Sequence, residues 1–240
     1  MDHQIGPEHS LAEDAQNHED VRSRKTLYGW TLLALLWIVA AIVFFEIAGD
    51  VWLREGFSWD APIMLAIHSL QAPWLDWFMK TATLAGSYGA VLVTAAVAFW
   101  LGRRRCLAAL TALLVSVVGA VIINSLLKLL FARPRPEIFP PLSVEHTYSF
   151  PSGHTITAVT LYGFLAILLW RNHHHVWAIL AAMMIPLVGV SRIYLGVHYP
   201  SDVLGAMALG ALWLLLVMVG LAWHGHVHRS DPPARCAELI

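Results

Sequence analysis

Long apolar runs govern what this chain can become. Six can be marked, over residues 26–45, 81–102, 107–127, 155–170, 176–191 and 203–223. A helix that crosses the hydrocarbon core of a bilayer needs about 20 apolar residues, with a range of about 17 to 25. The first, second, third and sixth runs meet that length unaided. The fourth and fifth fall slightly short, and polar residues at their ends extend them towards the membrane boundary. Lipid offers no partners to backbone N–H and C=O groups, so such runs become helices rather than open strands. Composition agrees, with 58% of residues hydrophobic and 13% charged, where a soluble domain carries about a quarter charged residues. The 11 Trp suit a membrane interface, which satisfies both an apolar ring and a polar N–H. The expected fold is all-α, a polytopic membrane protein of six transmembrane helices.

The rest of the chain frames this bundle. Residues 1–25 are polar and rich in His, Asp and Glu. They carry too little apolar surface to fold alone, and they read as a disordered segment rather than a signal peptide. The membrane domain then covers 26–223, and 224–240 form a tail. Residues 60–70, with Pro62 near the start and Pro73 beyond the end, have apolar positions at roughly helical spacing. This segment reads equally as an amphipathic helix in the interface or as a loop packed over the bundle. A formal net charge of -1 argues against a nucleic-acid partner.

Basic residues set the orientation. Arg22, Arg24 and Lys25 precede the first run, Arg103, Arg104 and Arg105 follow the second, Arg171 follows the fourth, and Arg229 and Arg235 follow the sixth. Six spans put all of these on one side, which the positive-inside rule makes cytoplasmic together with both termini. Segments 49–80, 128–154 and 192–202 then lie on the extracytoplasmic side. The last two also carry basic residues, which the rule alone does not expect there, so those charges have another use. His173, His174, His175, His224, His226 and His228 fall on the cytoplasmic side and read as surface groups rather than metal ligands.

Three segments on the extracytoplasmic side carry chemistry. Lys128, Arg135 and Arg192 are cations at the ends of apolar helices. Each alone could be snorkelling to headgroups, but ionisable residues at membrane depth are costly and are usually functional. The planar fork of Arg matches phosphate oxygens. Ser152 and Gly153 open the fourth run, and a helix N-terminus offers backbone N–H groups and a positive dipole end to a phosphate. A plain helix cap accounts for Ser152 but not for His154. His198 precedes Asp202 by four residues, so the carboxylate can hold one ring nitrogen and leave the other as an unprotonated nucleophile. An interfacial His beside an Asp helix cap reads the same way.

Together these segments resemble the signature of the type 2 phosphatidic acid phosphatase superfamily, in its membrane lipid phosphatase branch. The pattern Lys-x6-Arg-Pro is met by Lys128, Arg135 and Pro136. Pro-Ser-Gly-His is met by Pro151, Ser152, Gly153 and His154, and Ser-Arg-x5-His-x3-Asp by Ser191, Arg192, His198 and Asp202. The resemblance implies hydrolysis of a terminal phosphate from a lipid phosphate or pyrophosphate. Isoprenyl pyrophosphate, phosphatidic acid and phosphatidylglycerol phosphate are the candidate substrates. His198 would be the nucleophile, Asp202 its support and His154 the proton donor. Lys128, Arg135, Ser152, Gly153 and Arg192 would bind phosphate, with neither metal nor cofactor. A phosphotransferase using the same phosphohistidine with a non-water acceptor is the alternative. Arg133 is near enough to assist, although the pattern does not require it.

Overall fold

A computed structural model describes the backbone from Pro7 to His228 and the side chains from Gly29 to Leu221. The expected disordered segment over 1–25, the tail over 224–240 and the histidines His224, His226 and His228 bear on residues outside that fully described range. Eight helices make up the described backbone: α1 (Pro7–Trp52), α2 (Asp60–His68), α3 (Pro73–Leu84), α4 (Tyr88–Arg103), α5 (Leu107–Phe131), α6 (Gly153–Arg171), α7 (His175–Tyr194) and α8 (Pro200–His228). The chain divides into two units, Met1–Val39 and Ala40–Ile240. The first holds the leading part of α1, where Trp30, Leu35, Trp37 and Val39 are exposed. The second holds the end of α1 and helices α2 to α8.

Among the described residues, five stretches are each long and apolar enough to cross a bilayer: Gly29–Trp52, Leu107–Phe131, Gly153–Arg171, His175–Tyr194 and Pro200–Leu221. The short fourth and fifth runs of the sequence gain their length as anticipated, because α6 starts at Gly153 and α7 continues to Tyr194. The second run behaves differently. It is divided between α3 and α4, a pair bent by 40° that brings the number of spans to six when counted as one. The 16 residues of α4 rise only about 24 Å at 1.5 Å each, so this span needs α3 to reach across. Gly86 lies in the break. A Cβ there would stand 2.8 Å from Val188 Cγ1 and 2.9 Å from the His154 carbonyl oxygen. The interruption lets bare backbone lie against the start of α6.

Helix α6 is the centre of the second unit and packs against α4, α5, α7 and α8. Its Ala158, Leu161 and Phe164 are buried with Leu101 of α4, Leu113 of α5, Val188 of α7 and Leu214 of α8. Close approach to α8 depends on small residues, as it commonly does between helices in lipid. A Cβ on Gly163 would lie 2.7 Å from Leu214 Cδ2, and one on Gly210 would lie 2.8 Å from Val159 Cβ. Large apolar side chains such as Val91, Phe99, Leu129 and Ile179 point outwards and are exposed, as a lipid-facing surface requires. Helix α2 resolves the ambiguity over residues 60–70. It is a helix, and it packs onto the bundle through Met64 and Ile67 against Ile193 and Val203.

The connections decide where the chemistry can assemble. Helices α5, α6, α7 and α8 pack as consecutive neighbours. The end of α5, the start of α6, the end of α7 and the start of α8 therefore share one end of the bundle. A long segment, residues 132–152, joins α5 to α6 at that end, and the short turn 195–199 joins α7 to α8.

Candidate active site

Lys128 occupies the last turn of α5 and is buried. Its ammonium donates to the Tyr148 carbonyl and, at 3.4 Å, to the Ser149 carbonyl. The lysine thus ties the segment before α6 to the end of α5. Arg135, within that segment, donates through Nε to the Thr147 carbonyl at 2.7 Å and through Nη1 to the Val197 carbonyl at 2.6 Å. The same Nη1 lies 3.4 Å from His198 Nε2. One guanidinium therefore joins the 132–152 segment to the turn between α7 and α8.

Ser152 is the N-cap of α6, in extended conformation, and its backbone N–H donates to the Asp202 carbonyl at 3.3 Å. Its Oγ accepts from Thr155 Oγ1 at 3.0 Å. A Cβ on Gly153 would meet Asn124 Nδ2 at 3.1 Å and Lys128 Cε at 4.0 Å. Glycine at this position lets the positive end of α6 stand beside the lysine, an arrangement suited to an anion. His154 follows on the first turn, packed by its Cβ against the Gly86 break. It lies within electrostatic reach of Arg192, Glu145, His198 and Lys128.

His198 is almost fully buried. Its Nδ1 stands 3.4 Å from Asp202 Oδ2. That carboxylate oxygen also accepts from the Tyr199 backbone N–H at 2.9 Å and from Ser149 Oγ, while Oδ1 accepts from Arg133 Nη1 at 2.6 Å. Burial pushes the His198 imidazole down to about 4, against the upward pull of Asp202. The ring is therefore uncharged at neutral pH, with Nε2 turned towards Arg135. Gly196, two residues earlier, has φ +72, and a Cβ there would lie 2.6 Å from Phe139 Cε2. Both its left-handed backbone and its close neighbour require glycine.

Arg192 closes the group from α7. It is 1% exposed, donates through Nη1 to Thr83 Oγ1 at 2.8 Å and pairs through Nη2 with Glu145. Its Nε is buried without a hydrogen-bond partner. A buried donor left without a partner is costly, and an anion's oxygen would satisfy it. Burial alone would raise the Glu145 carboxyl, but the Arg192 guanidinium beside it holds it below the usual range. Glu145 Oε2 also lies 4.0 Å from Arg135. One carboxylate thus sits against two of the clustered cations.

The PAP2 superfamily profile matches residues 109–225. Phosphatidylglycerophosphatase B of Bacillus subtilis (strain 168) is 34% identical over 191 residues, which cover 75% of this chain and 92% of that protein. The chain belongs to the PAP2 superfamily. An undecaprenyl-diphosphatase of Sulfolobus acidocaldarius is 29% identical over 210 residues, covering 85% of this chain and 96% of the other. Among solved structures, the transmembrane PAP2 type phosphatidylglycerolphosphate phosphatase from Bacillus subtilis superposes with a TM-score of 0.65 at 29% identity, over 81% of this chain and 98% of that one. Aquifex aeolicus LpxE gives 0.58 at 25% identity, over 68% and 96%. This PAP2 member is accordingly a multi-pass membrane protein and a phosphoric ester hydrolase.

All eight residues singled out in the sequence, namely Lys128, Arg135, Ser152, Gly153, His154, Arg192, His198 and Asp202, lie at one end of this PAP2 bundle, linked by the contacts above. Sequence reasoning missed Glu145, Thr83, Ser149 and Asp60. Glu145 and Ser149 sit in a segment without periodicity, and Thr83 looks like one more small residue of an apolar run. Asp60 alone left a signal: it is an acidic group opening a segment that is otherwise mostly apolar, on the same side as the motif residues. Arg133 donates to both Asp202 and Asp60.

Proposed function

We propose that this PAP2 phosphatase removes the terminal phosphate of a lipid phosphate or diphosphate through a phosphohistidine, at the extracytoplasmic face. The reading rests on one observation above all: His198 is held by Asp202 on one ring nitrogen and faces Arg135 with the other, each at 3.4 Å. In the reaction, Nε2 of His198 attacks phosphorus and forms a P–N bond. The bond to the lipid oxygen breaks, and His154 delivers a proton to that oxygen. Asp202 stabilises the positive charge that the ring acquires. Water then attacks phosphorus, His154 takes its proton, and the P–N electron pair returns to His198 as phosphate leaves. Phosphoryl transfer depends mainly on positioning and on stabilising charge at the phosphoryl oxygens. Lys128, Arg135, Arg192 with its open Nε, Ser152 and the Gly153 N–H supply that charge and those donors.

Both curated relatives named above support a lipid substrate, since one is a phosphatidylglycerophosphatase and the other an undecaprenyl-diphosphatase. A site at the end of membrane helices suits a phosphate reached from water while its chains stay in lipid. The test is phosphate release by the purified protein from a panel of lipid monophosphates and isoprenyl diphosphates, with His198→Ala as control. At least one lipid should be turned over, and His198→Ala should release no phosphate above background. Near-normal release by His198→Ala removes His198 as the nucleophile. Phosphate that appears on an added alcohol instead of in water marks a phosphotransferase.

A further inference from the structure

Behind His198 and Asp202 lies a second polar layer, made of residues outside the family pattern. Asp60 opens α2 and is 3% exposed. Its Oδ1 accepts from the Ser201 backbone N–H at 2.9 Å, and its Oδ2 accepts from Ser201 Oγ at 2.6 Å and from Arg133 Nη2 at 3.1 Å. The other terminal nitrogen of Arg133 donates to Asp202 Oδ1 at 2.6 Å and to Ser201 Oγ at 2.8 Å. The guanidinium carbon lies 4.3 Å from the Tyr199 ring centroid and 5.6 Å from that of Phe57, which fixes the plane of the fork. We propose that Asp60, Arg133 and Ser201 form a clamp that fixes the Asp202 carboxylate, and through it the His198 ring, for attack on phosphorus. The inference rests on the reading of His198 and Asp202 as the reacting pair.

Two arguments carry it beyond a structural ion pair. The first is orientation. Asp202 must present Oδ2 to the imidazole, and a carboxylate whose Oδ1 had no donor would turn about its own axis to find one. Arg133 captures Oδ1 and leaves Oδ2 to His198, the Tyr199 N–H and Ser149 Oγ. The second is charge. Arg133 alone would offset the negative charge that the cationic phosphohistidine needs from Asp202, because charges this close and this buried interact strongly. Asp60 balances Arg133, so the charge of Asp202 remains available to the ring. The side-chain hydrogen bonds of these three residues run to Asp202 and to one another. Asp60, Arg133 and Ser201 are therefore positioning residues, and their loss should change the reaction step without changing how phosphate is held.

The full-length protein in detergent, supplied with a lipid phosphate that the wild type hydrolyses, provides the test. Asp60→Asn and Arg133→Lys should each lower kcat by roughly tenfold to a hundredfold, the scale of a slightly misplaced reacting group. KM and the inhibition constant of orthovanadate should stay within about twofold, because the phosphate cage is untouched. In an Asp202→Asn background, adding Asp60→Asn should change kcat by less than about threefold, since residues acting as one unit do not add. Wild-type kcat in both single variants overturns the proposal. So does a loss of kcat accompanied by an equal weakening of vanadate, or a loss that multiplies in the Asp202→Asn background. Arg133→Lys keeps its charge but is unable to span two carboxylates, and it decides the matter where Asp60→Asn does not accumulate in the membrane. Full activity in Asp202→Asn alone would instead remove the underlying reading of the reacting pair.

Discussion

His198 is shielded from water, so its titration differs from that of an exposed imidazole. Its pKa is lowered to about 4, whereas an ordinary imidazole titrates near about 6.5. A lowered histidine pKa means a free base above the folded value and a protonated ring only below it. The nucleophile should therefore stay competent as pH falls from 7 to 5, where an ordinary imidazole would be mostly protonated. A kcat/KM profile, corrected for ionisation of the substrate phosphate, should show no enzyme group with a pKa near 6.5 on its acid limb. Such a group, abolished by no change other than one at His198, would contradict the burial argument. Glu145 gives a second prediction at this scale. Its carboxylate pairs with Arg192 and lies 4.0 Å from Arg135, so it opposes an anion bound by the same cations. Glu145→Gln removes that competing charge, so inorganic phosphate should inhibit several-fold more strongly, and unchanged or weaker inhibition would sink the idea. The motif side chains were legible in the sequence because their chemistry stands out against apolar surroundings. Glu145 and Asp60 were not, because single carboxylates in loops and at helix starts ordinarily act as caps or solvated charges.

Elements were legible in proportion to their length. The apolar runs 107–127, 155–170 and 176–191 became the longer helices α5, α6 and α7, of 25, 19 and 20 residues, with polar ends reaching into the motifs. The break between α3 and α4 was hidden, because a hydropathy pattern sees apolar length and not a three-residue interruption inside it. Gly86 shows the physical reason for the break. An added Cβ would lie within 2.9 Å of both the His154 carbonyl and Val188 Cγ1, and backbone is unable to give way as a side-chain tip does. Gly86→Ala should therefore destabilise by about 1–3 kcal/mol, the scale of overpacking, and should push the first turn of α6 away from Lys128. Thermal unfolding in detergent reads the first effect and kcat the second, with at least a tenfold loss of kcat expected. Wild-type values in both would mean that the close approach at Gly86 is not needed to hold His154.

At the scale of the whole molecule, antiparallel helices separate two kinds of positive charge. Lys128, Arg133, Arg135 and Arg192 gather at the end where α5 and α7 finish, all in hydrogen bonds or ion pairs of the site. Arg103, Arg104, Arg105 and Arg171 lie at the opposite end, and all four are exposed. Counted without regard to use, the six-span reading puts nine basic residues on one side and six on the other, a narrowed bias. Under the proposed function the four site cations serve the site rather than topology, so the exposed cluster is the better guide to orientation. On the positive-inside rule we propose that Arg103, Arg104, Arg105 and Arg171 face the cytoplasm and the site the other side. That arrangement suits a lipid carrier dephosphorylated after export, and suits a soluble cytoplasmic phosphate poorly. Val144, in the 132–152 segment, is 78% exposed, and His174, in the turn between α6 and α7, is exposed at the other end. In a background with Cys106 and Cys236 replaced, Val144→Cys should react with a membrane-impermeant maleimide in intact cells, after permeabilising any outer membrane. His174→Cys should react only after lysis. The reverse pattern would turn the molecule over, place His198 at the cytoplasmic face and leave the proposed chemistry intact while ending its role on exported lipids.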